Sequence, residues 1–174
     1  MQIVKIALQV LGVLLLIPAV AMATLRFEKS SADGPSILFP GGELMAGDLY
    51  TGPEPNWSFT DDIFTIEMQL NDPLSSRLIW ILHSEGKIYI ASGYMSTTLG
   101  RLWKHWAVQA DEGDGLAVVR IDGIRYPRQL VRIEQGPALD GLAAVMSSKY
   151  SSPTTRQSIE AGSTWVFELA APGA

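Results

Sequence analysis

A run of twenty residues without a charge, Ile6 to Leu25, opens this chain, and Gln9 and Thr24 are its only clearly polar members. At about 1.5 Å of rise per residue, a helix of that length spans the roughly 30 Å hydrocarbon core of a bilayer. An uncleaved signal anchor needs only this length. A cleaved signal peptide is also compatible. Lys5 is then a positive n-region, Ile6 to Ile17 an apolar h-region, Pro18 a helix breaker, and Ala21-Met22-Ala23 a small-x-small cleavage pattern. A buried core helix is the third reading. Charge does not orient the segment, since Lys5 precedes it and Arg26 and Lys29 follow it. The first two readings make the protein membrane-anchored or exported, with its domain on the non-cytoplasmic side.

Setting aside residues 1–26 as signal anchor or signal peptide leaves roughly 150 residues, the usual size of one domain. The sequence has no cysteine, which excludes disulfides, thiolate zinc sites and thiol catalysis. A net charge of −5 argues against general nucleic-acid binding, which needs a basic footprint. Residues 27–61 carry turn-forming clusters such as Ser31-Ala32-Asp33-Gly34-Pro35 and Gly52-Pro53-Glu54-Pro55. They read as a linker and irregular arm. Ile37, Leu38, Phe39, Leu44, Met45, Leu49, Trp57 and Phe59 make the arm too apolar for a solvated tether, so it should pack on the domain.

Residues 62–174 carry a strand pattern. Phe64, Ile66, Met68 and Leu70 alternate with polar residues, as in a half-buried strand. Arg77 to His83 is nearly continuous in apolar residues and reads as a central strand. Lys87 to Ala91, Leu116 to Ile121, Ile124 to Glu134 and Thr164 to Leu169 give four more, with Asp122-Gly123 a strong hairpin signal. Pro137 to Lys149 reads as a helix with Leu139, Leu142, Val145 and Met146 on one stripe, and Ser151 to Gly162 as a loop or short helix. The expected fold is mainly β: a small antiparallel barrel with one or two short helices, closed to remove its edges.

One segment has chemical content. Ser92 to Trp106 leaves a strand, crosses a hydroxyl-rich turn and enters a helix. Leu99, Leu102, Trp103 and Trp106 fall on one apolar stripe, with Arg101, Lys104 and His105 opposite and Thr97 or Thr98 placed to cap. A helix start offers free N–H groups and a positive dipole end, so an anion near Ser92, Ser96, Thr97 and Arg101 is chemically reasonable. Capping and solvation explain the same residues without a ligand. Trp80, Trp103 and Trp106 have the shape to stack on a flat ligand, although filling a core is the commoner use. Glu67, Glu134 and Glu168 read as solvent-facing. His83 and His105 lack metal-ligand spacing, so no metal site is expected. Arg120, Arg125, Arg128 and Arg132 form a basic stretch whose ordinary fate is facing salt bridges.

The ordered segments Arg77-Leu-Ile-Trp-Ile-Leu, Gly86-Lys-Ile-Tyr-Ile-Ala-Ser-Gly, Arg101-Leu-Trp-Lys-His-Trp and Ala117 to Ile133 resemble the split β-barrel superfamily, over about residues 63–135. That group includes pyridoxamine-phosphate-oxidase-like flavoproteins and deazaflavin-dependent nitroreductase-like proteins. The resemblance implies an FMN or deazaflavin cofactor, held between two subunits of a homodimer. Its phosphate would be gripped by Arg77, Ser92, Ser96, Thr97 and Arg101, with Lys104 close by, and its ring would face the backbone near Trp80. The chain departs from the oxidase pattern at Leu82-His83, where a basic residue is usual, and shows no clear substrate-phosphate residues.

Two functional readings follow. In the first, a membrane-anchored or exported split barrel uses a flavin-type cofactor for redox chemistry. In the second, it is a cell-envelope binding or assembly module without cofactor, which uses the 37–59 arm and exposed aromatics to hold a protein partner. Changing Arg101 to Glu should abolish ligand binding in the first case and be nearly neutral in the second.

Overall fold

The computed structural model describes residues 2–37 and 39–173; Leu38 of the arm lies outside them. Helix α1, Gln2–Lys29, runs through Pro18 without a break and carries Arg26 and Lys29 in its last turn. A proline costs one backbone hydrogen bond, which long apolar helices tolerate. None of its 18-residue apolar window is buried by the rest of the chain, which rules out the core-helix reading. Its length and composition suffice to cross a bilayer.

Six strands form the body: β2 (Thr65–Leu70), β3 (Ser75–Ser84), β4 (Lys87–Gly93), β5 (Leu116–Ile121), β6 (Ile124–Ile133) and β7 (Thr164–Ala170). The two-residue β1 (Asp48–Leu49) adds to β6 in parallel. The order is β6-β5-β2-β3-β4-β7, and β7 pairs back onto β6. Every pairing among the six is antiparallel, so the sheet closes as a barrel. Closure removes the free edges that would invite other strands. Tight turns make this possible. Glu85-Gly86 and Asp122-Gly123 each place two consecutive residues at positive φ, the conformation a two-residue hairpin turn requires.

The period-2 pattern sorts side chains to two cores. Ile66, Met68, Ile79, Ile81, Ile88, Ile90, Val119 and Phe167 point into the barrel, joined by Trp57 of the arm and Trp106. Leu82, Tyr89 and Val166 point outward, beneath α4 (Ala138–Tyr150) and α5 (Arg156–Glu160). Leu139, Leu142 and Met146 form the buried stripe of α4. Strand β3 was expected to be buried on both faces. On the outward face Leu82 is fully covered by α4, Trp80 meets α4 only through the ring of Tyr150 and stays 48 % exposed, and Leu78 is 42 % exposed. The continuous apolar run thus reflects one covered and one uncovered stretch of outer face.

The arm is locked down by polar contacts. Leu44 and Trp57 are fully buried, and Leu44 N donates to Gln69 Oε1 at 2.7 Å. Just past α1, Asp33 accepts from the backbone N of Met45 and Ala46 and pairs with Arg120 at 2.9 Å. Arg120 also pairs with Glu67 of β2. These hydrogen bonds and the Arg120 charge hold the Asp33 carboxyl below its usual range. Arg125 donates to the carbonyls of Gly47 and Leu44, and Arg128 pairs with Glu54 at 2.8 Å while lying over Trp57. Arg132 pairs with Asp111 and Glu134. The basic stretch therefore meets protein partners, as its ordinary fate predicts. Glu67 and Glu168 are less solvent-facing than their alternation implies, because each is partly buried in an ion pair, to Arg120 and Lys87.

Candidate functional site

The uncovered outer face of β3 forms the floor of a pocket of about 560 Å³. Leu78 and Trp80 of β3 and Ala91 and Gly93 of β4 line this floor. One wall is the turn Tyr94 to Thr97 together with Lys104; the other comes from Met146 and Tyr150 of α4 and the segment Ser151 to Thr154. The volume falls in the range of small-molecule sites.

Two cations serve this pocket. Arg77 sits at the start of β3, with Nη2 donating to Ser75 Oγ at 3.0 Å and the guanidinium 5.7 Å from the centre of the Trp106 ring. Its Nε is buried and has no hydrogen-bond partner among the described residues. Burial pushes its pKa down to about 10. Lys104 lies across the pocket wall, its pKa lowered first by burial and then by the charge of Arg77. Among the described residues neither has a carboxylate within ion-pair distance. Partly desolvated, unpaired cations are costly, and a bound anion would relieve both shifts at once.

The hydroxyl-rich turn is built by one close approach. Gly100, in α2 (Thr98–Trp103), is buried, and a Cβ there would overlap the carbonyl oxygen of Tyr94. Glycine lets the helix start sit on the turn. Thr97 caps α2, accepting from Gly100 N at 3.0 Å and lying 3.0 Å from Tyr94 O, so its hydroxyl already has partners. Ser96 is exposed on the same wall.

Aromatic chemistry lies opposite. Trp80 stacks on Tyr150 with ring centres 4.4 Å apart and planes 6° from parallel. The Tyr150 hydroxyl sits 2.6 Å from Ile81 O and 2.7 Å from Phe64 O. Burial pushes this phenol up to about 12, so it stays protonated.

Five of the seven residues singled out from the sequence thus line one pocket: Arg77, Trp80, Ser96, Thr97 and Lys104. Ser92 and Arg101 do not. Ser92 is buried beneath the turn and donates to Met95 Sδ at 3.3 Å. Arg101 donates Nε to Met95 O at 2.7 Å and lies over Trp165. Both shape the turn from behind. The helix expected over residues 97–106 is two helices, α2 and α3 (His105–Glu112), meeting at Lys104. Trp106 is buried in the barrel core, but Leu99, Leu102 and Trp103 are 79 %, 74 % and 83 % exposed. The expected apolar stripe is therefore split, because the break at Lys104 turns its first three members away from the core. The α4–α5 wall was missed by sequence reasoning. Its signal was the hydroxyl-bearing run Ser151-Ser152-Pro153-Thr154, which lies beyond the segments that carry the resemblance.

No protein-family model matches the sequence, and no curated protein matches it. Among solved structures, a conserved hypothetical protein from Mycobacterium tuberculosis is similar at 13 % identity and a TM-score of 0.49, over 72 % of this chain and 83 % of that one.

Proposed function

We propose that this barrel is a membrane-anchored split barrel that binds a phosphorylated flavin-type cofactor, FMN or deazaflavin, in the pocket over β3. One observation carries the reading: two half-buried, unpaired cations, Arg77 and Lys104, share that pocket with an exposed indole, Trp80. A phosphate would bind the cations, with Ser96 as an added donor, and the flat ring would lie against Trp80. The orphaned Nε of Arg77 fits a ligand oxygen. Such a cofactor would supply the electron transfer, and the protein would orient it and exclude water. A second copy of the chain, closing the open side above Leu78 and Trp80, completes this reading. Helix α1 keeps the domain at the membrane, on the non-cytoplasmic side.

The test is a titration of the full chain in detergent or liposomes with FMN and deazaflavin cofactor, followed by fluorescence and the flavin absorbance bands. Saturable micromolar binding, weakened at least tenfold in Arg77→Ala and in Lys104→Ala, supports the reading. A folded protein that binds neither cofactor overturns it. The outcome would then favour the cofactor-free envelope module, for which the exposed arm residues Met45, Leu49 and Phe59 are the supporting observation.

A further inference from the structure

The two sides of a second groove come from parts of the chain distant in sequence. Arg26 in the last turn of α1 and Ser30 just after it line it on one side; Leu102 and Trp103 of α2 line it on the other. Ile37, 91 % exposed, lies in the same groove. Leu74 and Leu78 line it too, and an exposed patch of three leucines, an isoleucine and a tryptophan is unusual on a face that meets only water. Nothing within the described residues covers it.

The position of α1 supplies the covering. Its charge-free stretch ends at Leu25, and Arg26 and Lys29 follow in its last turn. In a spanning helix those two residues mark the level of the lipid headgroups. The groove therefore opens at headgroup level. The barrel is also pinned close to the end of α1 rather than hanging from a free linker. Asp33, four residues beyond Lys29, is fixed by Met45 N, Ala46 N and Arg120, and Gly42 N donates to Ala32 O at 2.9 Å. Tryptophan favours the interfacial layer, where its ring is apolar and its N–H remains wet, and leucines beside it gain by leaving water.

We infer that Leu99, Leu102 and Trp103 of α2 lie in the interfacial layer of the same bilayer that α1 spans, giving the barrel a second membrane contact. The occupant of this face is lipid, not another protein. The inference rests on the anchored reading of α1 given above, and the experiment separates the two.

The absence of native cysteine allows single-site spin labelling of the full chain. Trp103→Cys, Leu102→Cys, Leu14→Cys and Glu160→Cys are each labelled with a nitroxide and reconstituted in phosphatidylcholine vesicles containing a third phosphatidylglycerol. Power saturation then compares accessibility to oxygen with accessibility to a water-soluble nickel chelate. Leu14 is inside α1 and reports the anchor. Glu160 is on α5, which packs against β7, three strands round the barrel from β2, and reports bulk water. The expected result is oxygen-favoured relaxation at 14, an interfacial value at 102 and 103, and nickel-favoured relaxation at 160. Labels at 102 and 103 that behave like the label at 160, while 14 is in lipid, overturn the second contact and leave the anchor standing. Water-like behaviour at 14 overturns both.

Discussion

Two groups of cations on this barrel have opposite surroundings. Arg120, Arg125, Arg128 and Arg132, on β5 and β6, each find carboxylates or carbonyls and tie the arm and helix α3 to the sheet. Arg77 and Lys104 face each other's charge in a half-buried pocket with no acidic partner among the described residues. The first group stabilises the fold. The second group costs stability until something negative arrives. Arginine content alone does not separate the two groups. The separation comes from which positions meet acceptors of the arm and α3 and which line the pocket over β3.

The sharpest way to break this comparison is to remove one member of each group. Arg120→Ala strands Glu67 and Asp33, and partial solvent access limits the loss to about 2–3 kcal/mol of folding stability. Urea denaturation checks it, and a loss below about 0.5 kcal/mol would put Arg120 in the same class as Arg77. Gly100→Ala forces a methyl against the Tyr94 carbonyl, at an expected cost of about 1–3 kcal/mol, with displacement of the turn that carries Ser96. Thermal unfolding measures the first effect and cofactor affinity the second. Arg77→Ala should cost little or no folding stability, and even raise it, while weakening phosphate-bearing ligands at least tenfold. Loss of stability comparable to Arg120→Ala would erase the contrast.

Smaller effects follow from pH. The folded-state pKa of Lys104 lies below that of an unfolded lysine, so its charge opposes folding at neutral pH. That penalty disappears as pH rises through the folded value towards the ordinary lysine range. An anion binds the charged form, so its affinity should hold through neutral pH and fall on the alkaline side earlier than an ordinary lysine would dictate. Asp33 behaves oppositely. Its folded pKa is depressed, so its contribution is complete above the unfolded carboxylate range and is lost as pH falls through the folded value. Asp33→Asn should flatten the acid limb of the stability profile; an unchanged limb would show that the clasp is not what acid releases.

The strands were legible because their period-2 patterns are strong and their turns carry Asp-Gly and Glu-Gly pairs that tolerate positive φ. Part of the pocket was legible as well, since Ser96, Thr97 and Lys104 sit on one strand-turn-helix passage and Arg77 opens the strand that pairs with its first element. Ser92 and Arg101 fall in the same passage yet point behind the turn, a distinction that depends on a Met95 contact no spacing rule contains. The fate of Leu99, Leu102 and Trp103 was illegible for a related reason. Neither glycine nor proline marks the break at Lys104, so the helical period ran on through a change of direction. The opposite wall comes from Tyr150 and its following loop, which only the tertiary fold brings beside Trp80.

The clasp at Asp33 also sets a geography. Four residue steps separate the end of α1 from the pinned carboxylate, a reach of about 14 Å at full extension. In the anchored reading proposed for α1, a domain on so short a leash cannot sample the surrounding solution. In that reading, whatever it handles must be delivered to within a barrel's width of the lipid surface, and anything already dissolved in or adsorbed to that surface meets it at a far higher effective concentration than a freely diffusing molecule.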